Sequence, residues 1–247
     1  VFIDNSSAFR LREDVPLVVP EINPEDAFQH HGIVANPNCS TIITMVALGG
    51  IRRLTAIDKM VACTYQAVSG AGQQGITELQ DQLRAVTLGE PVQPHVFPCQ
   101  IVSNVIPQIG SECDNGYTTE EMKMQNEGRK IMHLPELRVC CTCVRVPVMR
   151  SHSIAVQLVT RDPISVEDAR QAVAAAPGCV LTDDLDGRNY PTPLDTSDQD
   201  LVYVGRIRRD LISGDHGLAL WCCGDQVRKG AATNAVQIAE LLARGQA

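Results

Sequence analysis

The chain has 247 residues, 44% hydrophobic and 20% charged, with few aromatic residues and a net charge of −8. That composition excludes a disordered tail or a fibre and argues against general nucleic-acid affinity, although a local cationic pocket can still hold an anionic substrate. No uninterrupted apolar run reaches the roughly 20 residues of a membrane-spanning helix.

VFIDNSSAFR at the start has no secretory-signal pattern, and the chain opens on Val rather than Met, as a processed chain or a fragment would. The segment after Cys39, STIITMVALGG, reads as a helix begun by Asn38 and stopped by Gly49 and Gly50. IDKMVACTYQAVS follows with strand alternation. ITELQDQLRAV then spaces Ile76, Leu79, Leu83 and Val86 along one helical face. Thr118 and Glu121 have capping-box spacing and open the helix TEEMKMQNEGRKIM. Strands are expected near 137–148 and 153–160, a helix near 165–176 begun by Ser165 with Asp168, and a short strand at 179–182. The polar stretch 183–200 reads as a surface connection, an arm or an interface loop. LVYVGRIRRD and HGLALWCCG then form two paired strands, and AATNAVQIAELLA is a closing helix. Strands alternating with amphipathic helices imply an α/β or α+β fold.

The ten cysteines follow no disulfide framework, so a reducing cytoplasm is the expected compartment. Cys140 and Cys143 make a CxxC, but residues three apart on a strand face opposite ways, which argues against a metal or redox pair. Cys39 differs in lying where a helix begins. Free backbone N–H groups and the helix dipole favour a thiolate there, which marks Cys39 as the most readily alkylated of the ten; a small buried residue is the plain alternative. His152, between Ser151 and Ser153 in a polar patch after a strand, is the candidate base, or else a structural histidine. SGAGQQG carries Gly70, Gly72 and Gly75 in G-x-G-x-x-G spacing after a strand and before a helix. The acidic residue that should follow about 20 positions on is replaced by the turn-rich GEPVQPHVFP, so a loop that lets a ligand approach the backbone explains the glycines as well as a dinucleotide loop does.

DNSSAFR (4–10), NPNCST (36–41), TYQAVSGAG (64–72), EEMKM (120–124), CVRVPVMRSHS (143–153) and GDQVRKGAA (224–232) together resemble the aspartate-semialdehyde dehydrogenase family. The blocks run in order along essentially the whole chain, and NPNCST with R-x-P-V-x-x-x-H is the specific combination. The resemblance implies a glyceraldehyde-3-phosphate-dehydrogenase-like α+β catalytic domain with a mixed sheet and helices on one face. It also implies that residues 1–38 are the end of an NADP-binding Rossmann domain whose earlier part this sequence lacks. Residues 39–226 would be the catalytic and dimerisation domain, and 227–247 a helix packing back toward the cofactor domain. The implied reaction is the NADPH-dependent conversion of L-aspartyl 4-phosphate to L-aspartate 4-semialdehyde and phosphate, a step in lysine, methionine, threonine and diaminopimelate biosynthesis, by a cytoplasmic homodimer or homotetramer.

By the same resemblance Cys39 is the nucleophile and His152 the general acid and base. Arg145 grips the substrate carboxylate, and Arg10, Lys123 and Asn38 hold the phosphate. Gln66 orients the substrate, Glu120 faces its ammonium while Glu121 caps its helix, and Ser69, Gly70 and Gln226 touch NADP. No metal is implied. N-acetylglutamyl-phosphate reductase chemistry, a silent oligomerisation fragment and a cofactor-free thiol hydrolase are the competing expectations.

Overall fold

The computed structural model describes residues 1–245. Strands β1 (Phe2–Asp4) and β2 (Ile33–Ala35) pair in parallel as a small sheet. The helix α1 (Cys39–Leu54) follows at once. A six-stranded mixed sheet is then built from β3 (Ile57–Gln66), β4 (Arg138–Arg145), β5 (His152–Thr160), β6 (Cys179–Leu181), β7 (Val202–Arg209) and β8 (Gly217–Gly224), in the order β4-β3-β5-β8-β7-β6. β3 runs parallel to β4 and antiparallel to β5, and β8 lies antiparallel to both β5 and β7. The parallel β3–β4 pair needs a crossover, which α2 (Gln73–Leu88), a long loop and α3 (Thr119–Ile131) supply. The remaining helices are α4 (Val166–Ala174), the single turn α5 (Pro193–Thr196) and α6 (Thr233–Arg244).

Alternation along the strands decides what reaches the site. On β3, Met60, Ala62, Thr64 and Gln66 face inward, and on β4 so do Cys141, Cys143 and Arg145. Gln66 pairs with Arg145 in register, so two polar side chains close the inner face at the same end of the sheet. His152 opens β5 at that end. Cys140 is exposed and Cys143 buried, on opposite faces as strand geometry requires. Helices α1, α3 and α4 pack on the inner face, where α1 contributes Ile42, Ile43, Met45, Val46, Leu48 and Ile51 to the main core.

Three expectations need correction. Gly49 and Gly50 do not stop α1, which runs to Leu54. They are there for contact: a Cβ on Gly49 would come within 2.5 Å of the Ile22 side chain, and one on Gly50 would overlap the carbonyl of Ala172 on α4. On α2, Leu83 and Val86 are exposed, and the buried positions are Gly75, Glu78, Leu79 and Gln82. Glu78 and Gln82 face inward because they receive backbone N–H groups of the long loop: Glu78 takes His95 and Val96, and Gln82 takes Ile101 and Val102. A hydrophobic periodicity cannot show a helix face that is buried to satisfy polar backbone. Finally, the closing helix read from Ala231 is α-helical only from Thr233, because Ala231 and Ala232 belong to a π-helical turn, Arg228–Ala232.

That turn buries Lys229 completely. Its ammonium donates to Glu21 (2.7 Å), Asn234 (2.9 Å) and Gln237 (2.6 Å), which ties α6 to the N-terminal segment. Ile238 of α6 packs with Val18, Ala27 and Val34 on the same side. Removing one partner of a buried ion pair leaves the other charge desolvated and uncompensated, so Lys229→Met is expected to destabilise the protein by about 3–5 kcal/mol. The expected readout is a lowered urea midpoint at unchanged m-value.

Candidate active site

Cys39 is the first residue of α1, and its position is set by the residue before it. The Asn38 side chain accepts the N–H groups of Ser40 (3.1 Å) and Thr41 (3.4 Å), capping two of the orphan donors at the helix start. Its own amide donates to Glu120 Oε1 (3.0 Å), and its backbone N–H donates to Glu127 Oε2 (2.7 Å). Gly230, on the π-turn, packs against the other side of the nucleophile: a Cβ there would lie 3.1 Å from the Cys39 Cβ.

Cys39 Sγ lies 3.5 Å from His152 Nε2. The imidazole is fully buried, and its Nδ1 accepts the backbone N–H of Ala67 at 3.0 Å. An amide can only donate, so Nδ1 is bare and the neutral ring carries its hydrogen on Nε2, pointing at the sulfur. Burial first, and the nearby Arg145 second, lower the His152 pKa to about 3. Burial, with the Glu120 charge, raises the Cys39 thiol to about 11, against the favourable Ser40 contacts and Arg145. The thiolate expected from the helix start is therefore outweighed in the free protein by desolvation, and thiol and neutral imidazole face each other at neutral pH.

Around this pair the charges are placed by sign. Arg145 is buried, donates to the Ala67 carbonyl at 2.7 Å, and lies 5.9 Å from the centroid of the Phe97 ring. Glu120 accepts from Asn38, from Gln66 (3.2 Å) and from Lys123 (2.8 Å). Burial pushes Glu120 upward, but Lys123 and the two amides together hold it below the ordinary carboxylate value. Glu121 caps α3: its Oε2 accepts Thr118 N–H at 2.8 Å, and its Oε1 accepts Cys143 N–H. Arg10 reaches in from the N-terminal segment and pairs with Glu127 at 3.1 Å.

The turn after β3 completes the site. A Cβ on Gly70 would lie 2.7 Å from Arg145 Nη1 and 3.1 Å from His152 Cε1, so only glycine fits beside the pair. Gly72 takes φ +79°, and a Cβ on Gly75 would strike the Val68 carbonyl, so these two glycines serve the turn. Gln226 binds Ser69 Oγ through its amide nitrogen and accepts Ser151 N–H at 2.9 Å. Gly70 and Gly230 therefore let the backbone lie close against Arg145, His152 and Cys39.

A family model described as "Semialdehyde dehydrogenase, dimerisation domain" matches residues 48–229, and its "NAD binding domain" counterpart matches residues 1–30. Aspartate-semialdehyde dehydrogenase of Synechocystis sp. is 50% identical over 98% of this chain and 71% of its own length. That of Bacillus subtilis is 48% identical over 98% and 72%. The chain belongs to the aspartate-semialdehyde dehydrogenase family. The crystal structure of aspartate semialdehyde dehydrogenase II complexed with ASA from Vibrio cholerae superposes with a TM-score of 0.95 at 47% identity, covering 99% of this chain and 73% of that one. As a member of the family the chain is an oxidoreductase that uses a nicotinamide cofactor, acts on a small molecule and self-associates. No helix among the described residues is long and apolar enough to cross a membrane.

The residues expected from the aspartate-semialdehyde dehydrogenase resemblance converge here, from six separated stretches of sequence. Glu127, Phe97 and Gly230 were missed. Only Glu127 left a sequence signal: it lies seven residues after Glu120 and four after Lys123, on the same face of α3.

The pKa directions give a test. In the free protein Cys39 is a thiol until the pH nears 11, so its alkylation by iodoacetamide is expected to rise about tenfold per pH unit through the neutral range and to level only near pH 11. The exposed Cys99 and Cys140 are expected to label before it, the reverse of the order expected from the helix start alone. Peptide mass mapping across a pH series checks both points.

Proposed function

We propose that the chain carries the active site for reductive dephosphorylation of L-aspartyl 4-phosphate to L-aspartate 4-semialdehyde, with NADP as the cofactor. The supporting observation is the Cys39–His152 contact at a helix start, ringed by Arg145, Glu120, Lys123 and Arg10. A substrate with a carboxylate, an ammonium and an acyl phosphate needs that mixture of charges. Arg145 takes the carboxylate with its planar fork, Glu120 the ammonium, and Lys123, Arg10 and Asn38 the phosphate. Gln66, held by Thr64 and Glu120, orients the acyl group.

Cys39 attacks the acyl carbon and phosphate leaves, forming a thioester; one difficult substitution becomes two easier steps. His152 handles the proton at Nε2. In the Ala67-bound tautomer Nε2 already carries the ring hydrogen, so His152 acts as base once that contact opens and the hydrogen shifts to Nδ1, which frees Nε2 to accept the thiol proton. The resulting imidazolium then presents Nε2–H to the sulfur and to the oxygen on which charge develops. Ser69, Gly70 and Gln226 would hold the nicotinamide, which supplies the hydride when bound. NADP in place of NAD rests on the family resemblance, as does the division at residues 38 and 226. The sheet face opposite the helices exposes Val61 and Tyr65 beside Trp221, and it is the surface we assign to a homodimer or homotetramer contact.

Phosphate-dependent formation of NADPH from NADP and L-aspartate 4-semialdehyde tests the reaction. Cys39→Ser is expected to lower kcat on the order of a thousandfold or more without loss of fold, since an alkoxide forms far less readily than a thiolate. Arg145→Lys is expected to raise KM for the semialdehyde about tenfold with a smaller change in kcat, because a point charge replaces a two-pronged contact. An unchanged KM removes Arg145 from the carboxylate site.

A further inference from the structure

We infer that Glu127 is a positioning residue for the phosphate site, acting through Arg10; the inference rests on the reading of Arg10 as a phosphate ligand. Arg10 sits in a stretch of turns and bends between β1 and β2, so no regular element orders it. Its place is fixed instead from α3, at both ends of the residue. Lys130 donates to the Arg10 carbonyl (3.0 Å) and to those of Arg12 and Val15 (both 2.6 Å), closing the backbone around one ammonium. One turn earlier, Glu127 holds the guanidinium at 3.1 Å.

The Glu127 carboxylate is shared. Oε1 takes Arg10 Nη1, and Oε2 takes the backbone N–H of Asn38, the residue that caps the nucleophile's helix. A single buried carboxylate therefore fixes the spacing between the cation that would meet the phosphate and the thiol that would meet the acyl carbon. It also leaves the guanidinium usable. Of its five N–H donors, Nε goes to the Asn36 carbonyl (2.9 Å), one on Nη1 to Glu127 and one on Nη2 to the Asn5 carbonyl (3.0 Å). Among the described residues one N–H on each Nη is without a partner, and these two are the donors left for phosphate oxygens.

The test uses protection of Cys39 from iodoacetamide at alkaline pH, with inorganic phosphate and L-aspartate 4-semialdehyde as the two protecting ligands. Arg10→Gln, Glu127→Gln and the double variant are compared with the parent. Glu127→Gln is expected to raise the half-protecting phosphate concentration about tenfold, the loss expected for one charge-assisted contact, while that for the semialdehyde moves less than about twofold. The double variant, in which both charges are gone, is expected to match Arg10→Gln alone. Additive losses, or equal losses for both ligands, overturn the positioning role and leave Glu127 a structural partner. If Arg10→Gln itself leaves phosphate protection unchanged, the phosphate reading of Arg10 falls. If it weakens protection and Glu127→Gln does not, only the positioning role falls. Glu127→Asp retracts the charge by one methylene and covers failure of the Gln variant to fold: it is expected to raise the phosphate requirement selectively, and an unselective effect overturns the proposal.

Discussion

The cap at Asn38 is the interaction on which the rest of the site depends. Its side chain ends the helix, its amide meets Glu120 and its backbone meets Glu127, so each polar group is spoken for by a different neighbour. Without the cap, Cys39 loses its place at the helix start, and both glutamates of α3 lose a donor that offsets their burial. Asn36, two residues earlier, extends the same arrangement outward by bonding Asn5, the Ala231 carbonyl and Asn234. Three stretches far apart in sequence meet on the NPN segment. The neighbours of Pro37 there are asparagines because a short amide can donate and accept at once where helix and sheet bonds are missing.

Electrostatically the site is built to be quiet until occupied. A half-buried thiol and a buried neutral imidazole hold no net charge between them, and the charged groups around them are mostly matched: Lys123 with Glu120, and Arg10 with Glu127. Among the described residues Arg145 has no carboxylate partner, and it rests on a carbonyl and an aromatic ring. It is the group with most to gain from a bound anion. Substrate carboxylate and phosphate would supply the missing negative charge, and exclusion of water would then strengthen each contact.

Much of this was legible in the sequence. Cap residues, capping-box spacing and strand alternation located most elements, because these signals are local. Gln66, Arg145 and His152 could be paired with Cys39 through the family's motifs, and the register of β3, β4 and β5 explains why those positions meet. The failures have a common origin. Gly49 and Gly50 look like helix stops because glycine's lack of a side chain serves a distant contact as readily as a turn. Leu83 and Val86 look like core because polar Glu78 and Gln82 occupy the buried face for the sake of backbone in another segment. Cys39 looks ionised because a helix dipole is visible in sequence and burial is not. In each case the deciding partner lay far along the chain.

The contact between Gly50 and Ala172 bears on how finely the thiol is aimed. Gly50 is eleven positions from Cys39, roughly 16 Å along the axis at the rise of an α-helix. With backbone close against backbone at Gly50 and an asparagine hooked on two carboxylates at the start, α1 is gauged like a rod between two stops. Its freedom to slide lengthwise is small, so the depth of the sulfur in the pocket is machined about three turns along the helix, at a contact remote from the thiol.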